Sequence, residues 1–581
     1  MGSESAPVAE SAERFLDRAE ERIRVLSIEA QRADWVQSTY LTEDTSALAG
    51  RASARLIETT VALVRAGAPL LAGAVAPGLK RRYDLLRLSL PFVAPGSEAE
   101  AGELSDLVNS MQARYATHRV ELPGRDQPVE LEELDRILAS GRDPSELRAA
   151  WAGWHRAARP LRPLFERYVE LANRGAREIG FEDTGAMWRS KYDMAPEEFA
   201  REVEGLWEAL APLYRALHAF VRRRLVQTYG PEVVKPDGPI PAHLLGNMWA
   251  QSWEHLLPIL GVGPPAVGDA IAPALLARGT TPRGLVEYGE GFFVSLGFDR
   301  LPESFWNRSM LVRPTEREVV CHASAWDIDF EDDVRLKMCL RLTGEDFRVV
   351  HHELGHTYYQ RAYAHQPFLY RDGAHDGFHE AIGDTIGLSV TPEYLTRIGL
   401  GADSPGPEEE LAALLRRAVE SIAFLPFAYL VDRWRWQVFD GTITPAHYNA
   451  SFWAERRRYQ GIAPPEPRGE EEFDPGAKYH VAASVPYVRY FLAAVLQFQL
   501  HRALARAIGA TGPIHRVSIF GRPEAGEKLR AMLEMGASRP WPEALEAISG
   551  ERRMDPSALL EYFAPLRRFL DSENRGHPVG W

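Results

Sequence analysis

The sequence of 581 residues predicts a mainly α-helical protein with a small β element. Two observations support this fold class. Apolar residues recur at spacings of three and four over long stretches, which is the periodicity of amphipathic helices. Alternating apolar and polar runs, which are typical of strands, are few and short. Because 45% of the residues are hydrophobic and 25% are charged, the chain can bury a large core, and a disordered or fibrous protein is excluded.

The helical pattern is strongest in six segments and the strand pattern in three. In the first helix, Phe15, Ala19 and Ile23 share one face, with acidic residues and arginines between them. The predicted helices span residues 8–30, 48–66, 131–147, 197–227, 408–439 and 487–508. The predicted strands span residues 310–312, 318–321 and 334–340.

Charge and hydropathy exclude two classes of partner. The net charge is −14, from 67 basic and 81 acidic residues, whereas nucleic-acid binding needs a basic surface. No apolar run reaches the roughly 18 residues of a membrane span. The N-terminus lacks the pattern of a signal peptide, which leaves a cytoplasmic protein or one whose leader has been removed. With two cysteines, the chain is no disulfide scaffold but has room for one bridge.

An H-E-x-x-H motif formed by His352, Glu353 and His356 indicates a metal site. On a helix, the two histidines lie one turn apart on the same face, so both imidazoles reach one ion. Glu353 would project beside the metal, where it can take a proton from water. Thr343 and Asp346 resemble a capping pair that starts this helix. The alternative is a surface helix with two solvated histidines.

Two acidic residues further along the chain complete the predicted metal site. A hydrolytic zinc site needs a third protein ligand and one open position. Glu380 follows His356 by 24 residues, which leaves room for a turn and a second helix. Asp384 lies one turn after Glu380 on the same face, where it can accept the other ring N–H of a zinc histidine. The alternative for this acidic pair is an exposed helix face.

Together with blocks elsewhere, these motifs resemble the angiotensin-converting enzyme family of zinc peptidyl-dipeptidases over nearly the whole chain. The resemblance rests on residues 34–37, 241–251, 321–327, 352–356, 377–384, 434–436, 473–480, 486–490 and 538–542. It implies one catalytic unit over residues 1–581, with two helical lobes around a deep central cleft. Helices through about residue 115 would form a lid, and residues 250–490 would supply the zinc and substrate segments.

The resemblance also implies a complete catalytic set. Without it, Tyr490 and His480 would be interpreted as core aromatic packing. In the family, a tyrosine and a histidine at these positions stabilise the developing oxyanion. The implied roles are zinc ligation by His352, His356 and Glu380, general base and later acid by Glu353, support of a zinc histidine by Asp384, and oxyanion stabilisation by Tyr490 and His480.

Exopeptidase specificity depends on recognition of the free C-terminal carboxylate of the substrate, which needs a cation and neutral donors. Gln251, Lys478 and Tyr487 match the carboxylate clamp of the family. Single-residue carboxypeptidase relatives lack this lysine and glutamine, so their presence favours the release of dipeptides. A lone lysine would otherwise be interpreted as a solvated surface charge.

Further matches concern the substrate backbone and its last side chain. His322, Ala323 and Ala325 resemble the segment that pairs with the peptide backbone, which would hold a peptide of any sequence in register. Phe424 and Phe427 match the hydrophobic pocket for the terminal residue. Ala494 stands where the family has a further phenylalanine, which we expect to widen the pocket.

The family is activated by chloride at two arginine-based sites. Tyr192 and Arg489 match one of them, although Arg489 is equally consistent with a structural ion pair. His155 and Phe452 replace an arginine and a tryptophan at the other site. The resemblance therefore implies zinc and at most one chloride ion as cofactors.

The two cysteines match a disulfide of the family. Cys321 and Cys339 would form it, and the alternative is two buried thiols. A disulfide implies an oxidising compartment, so we expect a periplasmic or secreted protein without its leader, with a cytoplasmic location as the alternative. The excess of arginine over lysine indicates a GC-rich genome, and the resemblance is to a bacterial single-domain homologue of the family.

The predicted function is a zinc peptidyl-dipeptidase that releases C-terminal dipeptides from oligopeptides, with Glu353 as the general base. Two enzymatic alternatives remain, a helical zinc oligopeptidase that cuts internally and a single-residue carboxypeptidase. An alternative of another class is a peptide-binding homologue without turnover. We predict no nucleic-acid partner and no membrane span, and the sequence makes no prediction of the oligomeric state.

Overall fold

Helices make up most of the computed structural model. It describes residues 11–73, 75–262, 266–401 and 405–581, and only the backbone of residues 266–270. The helices, in chain order, are α1 (Ala12–Thr39), α2 (Glu43–Leu71), α3 (Pro77–Leu88), α4 (Glu98–Thr117), α5 (Leu131–Ser140), α6 (Pro144–Ala157), α7 (Arg162–Glu178), α8 (Thr184–Arg189), α9 (Pro196–Tyr229), α10 (Ala266–Ala277), α11 (Pro282–Ser295), α12 (Glu303–Arg308), α13 (Gly344–Tyr363), α14 (Asp376–Leu388), α15 (Pro392–Arg397), α16 (Pro407–Phe439), α17 (Tyr448–Glu455), α18 (Tyr479–Ala482), α19 (Val488–Ala507), α20 (Pro523–Leu533), α21 (Trp541–Ser549), α22 (Ser557–Tyr562) and α23 (Ala564–Glu573). The prediction of a mainly α fold is confirmed.

Five of the six predicted helices form as single helices, and the sixth is interrupted. The first predicted helix starts at residue 8, outside the described residues, and α1 begins after its N-cap Ser11. Residues 131–147 form α5 and α6 rather than one helix. The chain leaves α5 at Gly141, and the Asp143 carboxylate then accepts the backbone N–H of Ser145 at 2.9 Å. Because Asp143 precedes a proline, it is disfavoured in a continuous helix and starts the next one instead.

The small β element consists of two short two-stranded sheets. Strands β1 (Ile240–Pro241) and β4 (Ile462–Ala463) pair in parallel, and β2 (Ser324–Asp327) and β3 (Val334–Lys337) pair antiparallel. The strand predicted at residues 334–340 is therefore confirmed in its first half.

Two other strand predictions are wrong. Within residues 310–312, only Met310 takes part in a β-bridge, with Lys337. Residues 318–321 form no strand, because their backbone instead docks on the end of α1. There, the Val320 N–H donates to the Ser38 carbonyl at 2.8 Å, and the Glu318 carbonyl accepts from the Leu41 N–H at 2.9 Å.

The main buried core runs from Phe15 on α1 to Leu570 on α23, and a small second cluster contains Trp35, Met310, Val319 and Ile328. The predicted disulfide is present and joins Cys321, just before β2, to Cys339, just after β3. No helix among the described residues combines the length and apolar character that crossing a membrane requires.

The first N-terminal helix, α1, borders the β2–β3 sheet, and α3 contacts other parts of the chain. Trp35 on α1 packs edge-on against Trp326 on β2, with ring centroids 5.5 Å apart. The Arg81 guanidinium on α3 pairs with Asp193 at 2.7 Å and also donates to the Ala537 carbonyl. The tryptophan contact places α1 beside the strand that was matched to the peptide-binding segment, and the Arg81 contacts join α3 to Asp193 and Ala537.

Candidate metal and substrate site

The metal site forms where α13 and α14 pass close to each other. A Cβ atom built on Gly355 would lie 2.7 Å from the Cα atom of Gly383. Such a distance is shorter than real carbon contacts, so only glycine permits this approach. The contact brings the His352 face of α13 against α14. The start of α13 is set by Thr343, whose hydroxyl accepts the Asp346 N–H at 3.0 Å, as the sequence predicts.

His352, His356 and Glu380 are brought together as predicted. The Nε2 atoms of the two histidines are 3.1 Å apart, and His352 Nε2 is 3.7 Å from Glu380 Oε2. Among the described residues, this is the one group of three or more His, Cys, Asp or Glu side chains whose ligand atoms lie mutually within 4.8 Å. Two imidazoles and one carboxylate fit a tetrahedral zinc ion with one open position.

Outer hydrogen bonds orient both histidines. His352 Nδ1 lies 3.0 Å from Asp384 Oδ1, as predicted, and Asp384 Oδ2 accepts from the Gln497 side chain at 3.2 Å. His356 Nδ1 lies 3.2 Å from His379 Nδ1. Neither Gln497 nor His379 was among the predicted site residues. Gln497 lies on α19 and carries no sequence signal, whereas His379 directly precedes a ligand and was available as a candidate.

His379 is itself held in place. Its Nε2 atom lies 3.2 Å from the Tyr363 hydroxyl, and its ring packs 4.5 Å from the Tyr359 ring. A histidine that binds metal through Nε2 carries its proton on Nδ1 and needs an acceptor there. The Nδ1 atom of a neutral His379 supplies that acceptor for His356.

Glu353 is buried beside the metal ligands. Desolvation raises the pKa of its carboxyl group, and the charge of His352 and the backbone N–H of Ala325 act in the opposite direction. The contact with Ala325 places Glu353 against strand β2. The segment before β2 is fixed by Lys337, whose ammonium donates to the carbonyls of Val320 at 2.7 Å and His322 at 2.6 Å.

The two other residues matched to peptide binding also lie at this segment. The imidazole of His322 is exposed, and its Nδ1 atom is 2.8 Å from the carbonyl oxygen of Ala323. Ala323 is partly buried and packs against the main core. In the described residues β2 pairs with β3 alone, so its other edge has no strand partner.

The three residues matched to the carboxylate clamp are joined by hydrogen bonds to the side-chain oxygen of Gln251. The Gln251 side-chain oxygen accepts from the Lys478 ammonium at 3.0 Å and from the Tyr487 hydroxyl at 3.1 Å. Trp249, which sequence analysis did not single out, lies 4.0 Å beneath the Lys478 ammonium. Desolvation lowers the pKa of Lys478 to about 7, against the opposing charge of Asp135.

The turn that presents Gln251 is fixed by Asn247. Its side-chain oxygen accepts the backbone N–H groups of Trp249 at 3.0 Å and of Gln251 at 3.4 Å. An asparagine that binds the backbone two residues on is typical of such turns.

His480 and Tyr490 lie next to each other beside the clamp. Their ring centroids are 5.8 Å apart, and Tyr487 packs against both, at 4.5 Å from His480 and 5.1 Å from Tyr490. Desolvation, together with the charges of Lys478 and other cations, lowers the pKa of His480 to about 3. His480 is therefore a neutral imidazole at physiological pH and can donate one N–H.

The residues matched to the terminal-residue pocket lie on the same side. Phe424 packs 6.1 Å from Tyr487 and 6.4 Å from Tyr490, and Phe427 packs 5.9 Å from Tyr487. Ala494 is buried on α19, one turn after Tyr490.

Tyr192 and Arg489 contact a carboxylate of the chain itself. The Tyr192 hydroxyl donates to Asp376 Oδ1 at 3.1 Å, and Arg489 Nε lies 3.3 Å from Asp376 Oδ2. Asp376 was not among the predicted site residues. The structural ion pair considered for Arg489 is therefore present at the position matched to a chloride site.

The side chains of the metal site are partly buried. The side chains of His352 and Glu380 are 24% and 31% exposed, and desolvation raises the pKa of the Glu380 carboxyl group. Both side chains are therefore packed against protein on most of their surface and remain accessible to solvent.

Comparison with known proteins supports the same assignment. The sequence matches the family described as angiotensin-converting enzyme over residues 6–581. The angiotensin-converting enzyme of Sus scrofa is 41% identical over 582 residues, which cover 98% of this chain and 44% of that protein. The Mus musculus enzyme is 40% identical over 578 residues, with the same coverage.

A shorter relative matches over most of its own length. The angiotensin-converting enzyme of Haematobia irritans exigua is 41% identical over 483 residues, which cover 81% of this chain and 79% of that protein. The chain spans less than half the length of the two mammalian relatives. The helices α13 and α14 carry the zinc ligand set, and the sequence similarity extends over almost the whole chain. The chain therefore belongs to the angiotensin-converting enzyme family.

Proposed function

We propose that the protein is a zinc peptidyl-dipeptidase that hydrolyses oligopeptides and releases their C-terminal dipeptides. One observation carries this proposal. Tyr490 connects a ligand set for zinc to a cationic clamp formed by Gln251, Lys478 and Tyr487, because its ring packs on Tyr487 and the charge of the ligand Glu380 acts on its hydroxyl. A metal site beside a carboxylate clamp is the arrangement that an exopeptidase acting at the C-terminus needs.

His352, His356 and Glu380 would hold the zinc ion. When bound, zinc supplies Lewis acidity, which polarises a peptide carbonyl and acidifies water. Glu353 accepts a proton from the attacking water and later donates it to the leaving amine. Its buried position and raised pKa suit both roles, because a carboxyl group is more effective when its pKa is closer to neutrality.

Tyr490 and His480 would stabilise the negative charge that develops on the carbonyl oxygen. Both are neutral donors held by aromatic packing, so they need no reorganisation during the reaction. The free edge of β2, with Ala323 and Ala325, would pair with the substrate backbone independently of its sequence.

The clamp would decide the length of the product. Lys478 supplies the cation, and Gln251 and Tyr487 supply neutral hydrogen-bonding groups for the terminal carboxylate. Release of two residues, rather than one, follows from the match of Gln251 and Lys478 to the dipeptide-releasing relatives. Phe424 and Phe427 would contact the last side chain, with extra room at Ala494.

We further propose that residues 1–581 act as one catalytic unit, in which the helices up to about residue 115 cover the cleft and admit only short or unfolded peptides. The continuous core from Phe15 to Leu570 supports a single unit. The disulfide between Cys321 and Cys339 supports an oxidising compartment, such as the periplasm or the cell exterior.

The proposal is tested with zinc-loaded protein, a blocked tripeptide and the C-terminal amide of the same tripeptide, followed by mass analysis of the products. We expect release of the C-terminal dipeptide, loss of cleavage on addition of a chelator and recovery with zinc. We also expect little activity on the amide.

Each other outcome identifies an alternative. Release of a single residue would indicate a carboxypeptidase. Equal cleavage of the amide, or internal cleavage of longer peptides, would indicate an oligopeptidase. Peptide binding with no chelator-sensitive cleavage would indicate a binding protein without turnover.

A further inference from the structure

Four side chains near the catalytic tyrosine form a group that the proposed mechanism leaves unexplained. This internal ion cluster consists of Lys191, Tyr192, Asp376 and Arg489. Asp376 is at its centre, because it accepts a hydrogen bond from Tyr192 at 3.1 Å and lies 3.3 Å from Arg489. The charge of Lys191 also acts on Asp376.

The cluster contains two cations and one carboxylate. The side chains of Arg489 and Asp376 are 25% and 23% exposed, and the Tyr192 ring is buried and stacked 4.0 Å from the Phe199 ring. Desolvation acts to raise the pKa of Asp376, but the charges of Arg489, His375 and Lys191 outweigh it, so the pKa is lowered. Asp376 is therefore an anion at all moderate pH values.

A second carboxylate, that of Asp432, also acts on Arg489 through its charge, but its hydrogen bonds go to other groups. Asp432 contacts Arg435, and its second oxygen accepts the backbone N–H groups of Tyr487 and Val488 at 2.7 and 2.8 Å. In the described part of the chain, Asp376 is the carboxylate in ion-pair distance of Arg489.

The cluster is adjacent in sequence to Tyr490, the proposed oxyanion donor. Arg489 directly precedes Tyr490 in the first turn of α19, and the charges of Arg489 and Asp376 both act on the Tyr490 hydroxyl. Asp376 is the first residue of α14, which also carries Glu380. An ion pair between Asp376 and Arg489 thus ties the start of the ligand helix to the start of the helix that carries Tyr490.

We propose that Asp376 is a built-in anion that holds Arg489, and through it Tyr490, in the active position, so that turnover requires no external halide. This inference rests on the proposed function and makes Asp376 a positioning residue. A carboxylate beside Arg489 and Tyr192 fills the place that a small anion would need and repels any anion approaching it. If this carboxylate is removed, Lys191 and Arg489 have no negative charge from the cluster beside them, and the vacated space can bind a small anion.

The test compares the wild type with the Asp376→Ala and Asp376→Asn variants in halide-free buffer, with chloride added at constant ionic strength. We expect wild-type kcat/KM to change less than twofold. We expect kcat/KM of Asp376→Ala to fall by about tenfold to a hundredfold, mainly through kcat, because one oxyanion donor is misplaced. Chloride or formate at about 0.1 M should restore most of this loss, since an anion enters the vacated space.

Asp376→Asn keeps the volume but removes the charge. We expect it to lose activity without rescue by chloride, because the amide still fills the space. The matched control is Asp555→Ala. It removes the carboxylate that pairs with Arg502, which lies on α19 as Arg489 does but away from the cluster. It should show no anion-dependent activity.

A second readout does not depend on turnover. The Tm of Asp376→Ala should rise with chloride concentration more than that of the wild type at equal ionic strength, because the variant binds the ion only when folded. This readout separates failure of the inference from failure of the proposed function, since it remains interpretable for a protein that cleaves no peptide.

Three results would overturn the inference. They are wild-type activity that depends strongly on chloride, an Asp376→Ala variant as active as the wild type in halide-free buffer, and a folded Asp376→Ala variant that neither chloride nor formate restores or stabilises.

Discussion

Gly355 on α13 and Gly383 on α14 lie in direct backbone contact, with room for no side chain between them. The sequence shows Gly355 inside the H-E-x-x-H motif, where its identity has no role in metal binding. The structure gives the reason for both glycines. The two helices must approach closely for His352 to reach Glu380, and any Cβ at the crossing would hold them apart.

The first prediction follows from this crossing. A Cβ atom on Gly383 would lie 2.6 Å from His352 Nδ1, so Gly383→Ala should displace the imidazole from both Asp384 and the metal. We expect zinc affinity, measured by competition with a chromophoric chelator, to fall by at least about tenfold. The control is Gly387→Ala on the same helix, where an added Cβ meets nothing within 4 Å. It should keep zinc affinity and gain up to about 1 kcal/mol in the free energy of unfolding. Equal zinc affinities of the two variants would contradict this account.

The second prediction concerns the general base. Glu353→Gln should lower kcat by about 10²-fold to 10⁴-fold, because an amide cannot accept the proton of the attacking water. Zinc should stay bound, since Glu353 is not among the three ligands. Tripeptide hydrolysis and metal content by mass spectrometry check the two parts separately. Glu345→Gln, an exposed change in the first turn of the same helix, serves as the control and should leave both unchanged. A fully active Glu353→Gln variant would refute the role.

The third prediction is a pH dependence of substrate binding. Lys478 has a pKa of about 7 in the free protein because burial disfavours its charge. Only the charged ammonium attracts a carboxylate, so KM should be lowest below pH 7 and should rise as the pH increases through 7 to 9. The rise should be at most about tenfold per pH unit. kcat should change less, because a bound carboxylate keeps the ammonium charged.

Lys478→Arg tests the origin of this dependence. Its guanidinium stays charged throughout this range, so its KM should be higher overall but independent of pH. Lys528→Met, an exposed change, should reproduce the wild-type curve. A wild-type KM that stays constant between pH 6 and 9 would exclude Lys478 as the titrating group.

The fourth prediction concerns His379, the acceptor behind the second zinc histidine. His379→Leu removes that acceptor and should weaken zinc binding by about tenfold to a hundredfold. His379→Asn places an oxygen near the position of Nδ1 and should retain most of the affinity. The exposed His365→Leu is the control. If the leucine and asparagine variants bind zinc equally, hydrogen bonding to His356 is not the role of His379.

Local sequence patterns predicted the parts of the site that are close in sequence. The spacing of His352 and His356 on a helix, the partner role of Asp384 and the Thr343 cap depend on short-range geometry, and all three are present. The break between α5 and α6 also has a local signal in the sequence, a glycine followed by an aspartate that precedes a proline.

Contacts between distant segments could not be predicted in this way. Asp376 joins Tyr192 and Arg489, which are 184 residues before it and 113 after it. Residues 318–321 have the alternation of a strand, yet pair with the end of α1, because the pattern gives no information on the partner. Gln497 was missed because a glutamine inside a helix gives no local sign of a remote partner.

The three-way contact at Gln251 has a consequence for how a peptide enters. In the free protein, its side-chain oxygen accepts hydrogen bonds from the Lys478 ammonium and the Tyr487 hydroxyl. These two donors therefore already point to one place and are already shielded from bulk water. In the proposed clamp, a substrate carboxylate would take these two donors over from the Gln251 oxygen. Docking would replace the neutral amide oxygen of Gln251 by a charged oxygen, and a peptide amide, whose terminal oxygen is neutral, would gain little from that replacement.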